Sequence, residues 1–472
     1  MITLTKGLIL KLATNLYNKS PELIRNIGLN SYGYYLKRRK YGGNFKRYCG
    51  EFRARSFYSE SDWNTFQTIK LRKLLLHSYK NVPYYRRSLK NAGFEEIDLK
   101  NFKLNELANI PILSKNELRK YCSSELLSEK RPSGIFIPSS GSTGTPVEIF
   151  FSRKFHQLWS AAFEVRIREW AGVSKTDSRG TIGGRRIVPT YKLKPPFYKY
   201  NIFEKQLYLS AYHINHNTIN NYFEGISRFS PDYLTGYANS IFFLAKLFEE
   251  KNFNAPKMKA IITNSEELTP QMSKLFQKVF GCKTYNSYSG VEACGLFSQT
   301  SNDEFVNNQD VGILELIDNK GKVINSYNEE GEIIFTGLLN FDQPLIRYKI
   351  GDTASYSSKR CIDKRIRMPI IKELGGRIED VIIGKDGRMM VRFHSIFLEI
   401  KGLISAQIAQ YAHTKIKFFL IVDGTFLHDI SENLMKSRIE SQLGQGINIE
   451  FEYIEKPILS KSGKFLSVIS YL

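Results

Sequence analysis

Long apolar runs are missing from this chain of 472 residues: nowhere do about 18 apolar residues stand together, which excludes an ordinary bilayer-spanning helix. Cysteine is scarce and scattered. Its five copies, Cys49, Cys122, Cys282, Cys294 and Cys361, form no CxxC pair and no zinc-finger spacing. They read as buried thiols in a reducing compartment, not as a disulfide framework or a structural metal site. The first residues, MITLTKGLILKLATNL, are interrupted by Lys6 and Lys11 and carry no cleavage-site pattern. A cleaved signal peptide is therefore not expected, and a cytoplasmic location is. No collagenous, solenoid or heptad repeat is present either.

What is there suits a large folded chain. Hydrophobic residues make up 42% and aromatics 13%, far from the composition of disordered proteins and enough for two or more domains. The formal net charge is +22. Much of the excess sits in YYLKRRKYGGNFKRYCGEFRAR, residues 34 to 55, where eight Lys or Arg stand against one Glu with Tyr and Phe interleaved. Lys359, Arg360, Lys364, Arg365 and Arg367 form a second cluster far along the chain. Such a pattern suits nucleic acid or an anionic membrane face, and fits a plain solvated surface equally well. Nucleic acid is not the expected partner.

Local signals place the elements. Helices dominate the first hundred residues; Leu71 to Tyr79 has helical periodicity that Pro83 breaks, and Ser114 with Glu117 is spaced as a capping box. GIFIP (134 to 138) and VEIFFS (147 to 152) read as strands, and MKAIITNS (258 to 265) as a buried one. A helix is expected from about Ser240 to Lys251. Thr269 as N-cap, Pro270 at the first helical position and Gly281 after the last predict another between them. GILELID, GEIIFTGL and ASYS are β segments, a Gly-Gly turn is expected at Gly375 and Gly376, and a tail of short strands holds one helix over 431 to 444. The fold class is α/β: a large N-terminal domain with mixed sheets flanked by helices, and a small α+β C-terminal domain.

Between the first two strands lies SSGSTGTP, residues 139 to 146, in which every residue but the closing proline is Ser, Thr or Gly. Backbone amides in such a turn form an anion nest, and the hydroxyls add donors. The spacing GxxxxGK[ST] and a following helix, which a P-loop NTPase needs, are both absent. Downstream, in order, stand YSGVE (288 to 292), PLIRYKIGD (344 to 352), GGRIEDVIIGKDGR (375 to 388) and KSGK (461 to 464). These five segments together resemble the adenylate-forming (acyl-AMP) enzyme superfamily, specifically its phenylacetate-CoA ligase-like branch that includes capsular-polysaccharide biosynthesis proteins. VPYYRR (82 to 87) and IPILSKNEL (110 to 118) resemble the N-terminal region of that branch, so the likeness covers nearly the whole chain.

The resemblance implies an AMP-forming ligase that activates a carboxylic acid with ATP and Mg²⁺ and transfers the acyl group to CoA or to an amine such as an amino sugar. It implies domains over 1–376, with a helical extension, and 377–472, hinged near Asp380. It assigns the phosphate loop to Ser140, Gly141, Ser142, Thr143 and Gly144, and a nucleotide contact to Glu266. Glu292 is implied as catalytic and as the magnesium carboxylate, Tyr288 as flanking the adenine, Asp352 as the acceptor for both ribose hydroxyls, and Arg377 as a contact to ribose or phosphate. Lys464 is implied to reach the α-phosphate and the substrate carboxylate. Tyr237, Ala238 and Asn239 are candidates for the acyl pocket. The branch likeness also adds an anionic glycan as a peripheral contact of the basic surface.

Asp352 is expected at a strand end, with Arg347 open as its ion-pair partner. Two positions depart from the pattern of the superfamily: Val291 replaces a hydroxyl residue, for which Ser289 is a candidate substitute, and Thr145 stands where lysine is frequent. They keep open a second reading, a non-catalytic protein on this fold that binds an anionic glycan carrier, membrane or nucleic acid through its basic segment.

Overall fold

The computed structural model describes residues 20–139, 147–185, 187–188, 194–377, 382–384, 389–390, 394–397, 400–459 and 465–472. The described residues open with helices Glu22–Tyr41, Phe45–Arg55, Glu60–Asn81 and Pro83–Asn91. Pro83 ends one helix and, lacking an N–H, opens the next. The capping box at Ser114 is present: its hydroxyl accepts from the Glu117 amide and the Glu117 carboxylate accepts from the Ser114 amide.

The strands β1 (Gly134–Pro138) and β2 (Glu148–Ser152) form an antiparallel hairpin. The Ser139 amide donates to the Val147 carbonyl across its base at 2.8 Å. Next come β3 (Arg179–Gly183), β4 (Tyr198–Asn201), β5 (Gln206–Ser210), β6 (Tyr233–Tyr237), β7 (Ala260–Asn264), β8 (Lys283–Tyr288), β9 (Phe297–Gln299) and β10 (Phe305–Asn307). They make one eight-stranded sheet in the order β10-β9-β8-β7-β6-β3-β5-β4. Its five central strands, β3, β5, β6, β7 and β8, are parallel. Alternate residues serve opposite faces, as strand geometry requires: Ala260 and Ile262 enter one core and Ile261 the other. Helices Ile219–Phe229, Ala238–Glu250 and Pro270–Phe280 cover the second face. The Thr269 side chain caps the last of these by accepting from the Met272 amide, and Gly281 closes it with φ of 68°, a left-handed geometry that glycine adopts without strain.

A second sheet, β11 (Gly312–Ile317), β12 (Glu330–Gly337), β13 (Tyr348–Tyr356) and β14 (Ile371–Arg377), is antiparallel in that order. Here the structure corrects two sequence expectations. Asp352 is not at a strand end: it sits in the middle of β13, beside register shifts toward both neighbouring strands and after Gly351 at φ 92°. Gly375 and Gly376 are not a turn but part of β14. Gly375 is required by approach, since a Cβ there would stand 2.0 Å from the Thr353 hydroxyl on the facing strand.

Beyond residue 381 lie β15 (Ile382–Ile383), β16 (Met389–Met390), β17 (Leu403–Ala412), β18 (Lys415–Val422), β19 (Asn448–Tyr453) and β20 (Val468–Ser470). The last four form a sheet ordered β19-β18-β17-β20 with a core of its own. Helix His428–Leu443 contributes Met435, Ile439 and Leu443 to that core from one face, at intervals of four. All five cysteines are free thiols and buried, and burial pushes the Cys282 thiol up to about 12.

Arg347 is a structural residue, and among the described residues the carboxylate it pairs with is Glu315, not Asp352. Its Nε donates to Glu315 at 3.0 Å and its Nη1 to the carbonyls of Ala108 and Ile110, each at 2.7 Å. It thereby ties the 3₁₀ turn at residues 104–109 to the second sheet. Burial raises the Glu315 carboxyl above its ordinary range, and the Arg347 charge pulls in the opposite direction. Arg347→Met is expected to cost about 3 kcal/mol, because a buried carboxylate and two carbonyls lose their donor. Denaturant unfolding should show this loss, and Arg347→Met combined with Glu315→Leu should recover part of it.

Candidate active site

Strands β6, β7 and β8 run parallel and end side by side, so Tyr237, Asn264 and Tyr288 share one edge of the sheet. In open α/β sheets such carboxyl-terminal edges are where ligands bind. The loop after β8 carries Glu292 and is pinned from below. A Cβ on Gly312 would meet the Cys294 carbonyl at 2.1 Å, and one on Gly337 would meet the Cys294 Cα at 3.0 Å. Gly295 likewise rests on the Phe335 ring. These contacts put β11 and β12 directly under the loop and leave no room for side chains there.

Within the loop the Ser289 hydroxyl donates to the Gly295 carbonyl at 2.7 Å. Its single proton is thus committed to the loop itself, so the proposed replacement for a hydroxyl at position 291 is already in use. Val291 packs against the main core. The half-buried Glu292 carboxylate folds back over Gly290, and the Tyr348 hydroxyl lies 3.4 Å from its Oε1, a long contact. A carboxylate so weakly engaged has the donor chemistry that magnesium takes.

Tyr288 and Asp352 meet across the two sheets. The tyrosine hydroxyl donates to Asp352 Oδ2 at 2.6 Å, and its ring stacks on Phe297 at 5.1 Å between centroids. Burial, followed by the Asp352 charge, holds the Tyr288 hydroxyl well above its ordinary pKa, so it stays a neutral donor. Asp352 is paired in register with Arg377 of β14, which brings the two backbones together.

Glu266 stands after β7, next to Ser265 in the left-handed region at φ 65°. Its Oε2 accepts from the Asn239 amide at 2.8 Å, at the start of helix Ala238–Glu250, where backbone N–H groups have no partner within the helix. Its Oε1 accepts from the Phe465 amide at 2.8 Å. The segment beside the KSGK motif is thereby held against the large sheet. Tyr237, half-buried beside it, has its hydroxyl pushed up to about 12, chiefly by burial.

Glu266, Tyr288, Glu292 and Asp352, with Tyr237, Ala238 and Asn239, thus gather around one sheet edge. Ser140, Gly141, Ser142, Thr143, Gly144, Thr145, Asp380 and Lys464 lie outside the described residues, as does the Arg377 side chain. The expectation for residues 139–146 retains its frame, since β1 and β2 carry the two ends of the loop. Sequence reasoning did not assign the paired roles of Tyr288 with Asp352 and of Glu266 with Phe465. Both connect residues far apart in the chain and leave no local signal.

Comparison with known proteins agrees with this architecture. A solved 2-hydroxyisobutyryl-CoA ligase in the postadenylation state superposes with a TM-score of 0.68 at 15% identity, covering 88% of this chain and 91% of that one. A phenylacetate-coenzyme A ligase of Thermus thermophilus is 24% identical over 339 residues, 67% of this chain and 71% of its own length. The chain is homologous to the phenylacetate-CoA ligase-like branch of the adenylate-forming superfamily. Protein CapK of Staphylococcus aureus matches more of it, at 24% identity over 453 residues, 95% of this chain and 97% of that one. A family model described as the CapK C-terminal domain matches residues 382–471.

The contact between Glu266 and Phe465 is open to direct test. Glu266→Ala removes the acceptor of the Phe465 amide, so hydrogen exchange in a peptide spanning residues 465–472 should quicken by about tenfold, the worth of one charge-assisted hydrogen bond. Peptides from β18 should exchange as before.

Proposed function

We propose that this protein is an AMP-forming ligase: it activates a carboxylic acid with ATP and passes the acyl group to CoA or to an amine. The observation that carries the reading is the convergence of Glu266, Tyr288, Glu292 and Asp352 on one sheet edge, in a chain homologous to phenylacetate-coenzyme A ligases. In the first half-reaction a carboxylate oxygen attacks the α-phosphorus, the bond to the β-phosphate oxygen breaks, and pyrophosphate leaves. In the second, a thiol or amine attacks the acyl carbon, AMP leaves, and the acceptor loses its proton.

Within this proposal each residue has a physical task. Asp352 accepts hydrogen bonds from the ribose hydroxyls, and Tyr288, bonded to one of its oxygens, fixes how the carboxylate points. Magnesium, when bound, would neutralise phosphate charge, and Glu292 would be the carboxylate that holds it. Ser140, Gly141, Ser142, Thr143 and Gly144 hold the β- and γ-phosphates, and Arg377 contacts ribose or phosphate. Lys464 stabilises the charge that builds between the acid and the α-phosphate. Glu266 positions the segment that carries Lys464 by holding its neighbour Phe465. Residues 1–376 and 377–472 are the two domains, with the hinge near Asp380, and Tyr237, Ala238 and Asn239 line the acyl pocket.

The similarity to CapK supports a role in surface or capsular polysaccharide synthesis, with an amino sugar as an acceptor alongside CoA. Two observations favour the second reading, a non-catalytic member of this fold: the Ser289 proton is committed to Gly295, and the half-buried Val291 packs against the core.

Pyrophosphate release from ATP and Mg²⁺, across aryl acids, amino acids and uronic acids, separates the two. The ligase reading expects release that depends on one acid and falls at least about a hundredfold in Lys464→Ala, with nucleotide affinity nearly intact. Asp352→Ala should weaken nucleotide binding by about tenfold or more, the loss of a charged acceptor. Nucleotide binding without release for any acid would favour the non-catalytic reading. Normal release in Lys464→Ala would overturn the role given to that lysine.

A further inference from the structure

The parallel strands have a second edge, and it too carries a site. At the amino-terminal ends of β3 and β5, opposite Tyr237, Asn264 and Tyr288, lies a cleft of about 210 Å³. Helix Glu22–Tyr41 contributes Lys37 and Tyr41 to its walls, the segment before β3 gives Lys175 and Thr176, β3 gives Arg179, and the turn between β4 and β5 gives Phe203, Glu204 and Lys205. A five-residue strand is roughly 17 Å long, so a small molecule in this cleft does not reach the candidate active site.

The charge of this cleft is unbalanced. Four cations face one carboxylate, and that carboxylate, Glu204, is already bonded to the buried Arg179 at 3.2 Å. Among the described residues, Lys37, Lys40 and Lys175 have no carboxylate within ion-pair distance. Lys175 instead stands over the rings of Tyr41 and Phe45, at 5.5 and 5.7 Å. The neighbouring Lys40 is held below its ordinary pKa, first by burial and then by the charges of Arg179 and Arg168, against the opposing pull of Tyr41 and Glu204. Lys37 and Lys205 are exposed and Lys175 is half-buried, so the cleft presents surplus positive charge to an anion that enters from solvent. The turn Glu164–Arg168 adds to the cluster: it is a π-helical stretch, and it buries Arg168 against Glu164 and Tyr233.

We infer that this cleft binds a phosphate group carried on an organic body. Phosphate brings up to two negative charges and three acceptor oxygens, which suits several ammonium donors better than a single carboxylate does. Tyr41 and Phe203 supply flat apolar walls for the rest of the molecule. The rim extends outward as Ile202, Phe203 and Tyr34, all exposed, with the last two rings 5.2 Å apart. A phosphorylated metabolite and the headgroup of an anionic lipid both meet these requirements. The inference is independent of the ligase reading, since it uses none of the residues at the other edge.

The test uses the full chain, with Lys37→Gln/Lys175→Gln as the variant and Lys37→Arg/Lys175→Arg as the charge-preserving control. One arm titrates inorganic phosphate and glycerol 3-phosphate against the protein by phosphorus NMR. The other measures co-sedimentation with vesicles of phosphatidylglycerol in phosphatidylcholine. Affinity in at least one arm should fall about tenfold or more in the Gln variant and return to within about twofold in the Arg variant. A fall in the first arm names a soluble phosphate ester, and a fall in the second a lipid headgroup. Lys46→Gln/Arg47→Gln, exposed cations of the same basic segment that do not line the cleft, should change binding much less. Unchanged binding in both arms would overturn the inference, as would an equal fall in that last variant or failure of the Arg variant to recover.

Discussion

The five parallel strands are buried on both faces, and the placement of the candidate site depends on that burial. A strand with apolar residues on both sides cannot slip by one position without disturbing two cores at once. The ends of β6, β7 and β8 are therefore fixed relative to one another, and so are the loops that leave them. Tyr237, Glu266 and Glu292 owe their proximity to this register. The loops themselves need only short-range bonds, such as Ser289 to Gly295, to finish the arrangement.

How much of this was legible in the sequence depended on whether the signal was local. Thr269, Pro270 and Gly281 delimit a helix because a cap, a fixed φ and a left-handed residue each act within one turn of chain. The capping box at Ser114 and the hairpin strands at 134–138 and 148–152 were legible for the same reason. Gly375 misled because its glycine serves a contact with Thr353, across the sheet, and two adjacent glycines look like a turn when only the chain is read. Asp352 misled likewise: the irregular pairing that displays it depends on β12 and β14 together. The motif residues of the site were nameable from the resemblance, whereas their partners, Tyr288 for Asp352 and Phe465 for Glu266, came only with the fold.

The same distinction applies to charge. Two basic clusters some three hundred residues apart left open whether they share a face. In the structure Arg360 pairs with Glu60 at 3.4 Å, and the Arg365 guanidinium lies over the Phe57 ring, so the second cluster adjoins the end of the first. The packing of Cys361 and Met368 against Trp63 holds that loop in place. The large positive charge is thus spatially organised, while the buried arginines meet carboxylates: Arg55 and Arg166 share Asp310, Arg168 meets Glu164, Arg179 meets Glu204 and Arg347 meets Glu315.

The carboxylate of Glu266 divides its two oxygens between a fixed and a remote partner. Oε2 belongs to the start of a helix that is part of the large core, and Oε1 to an amide 199 residues further on. If the remote segment lets go, the anchored oxygen keeps the side chain aimed, and water can take the vacated acceptor with little net change in hydrogen bonding. A segment that returned would meet a carboxylate whose aim the large core had kept.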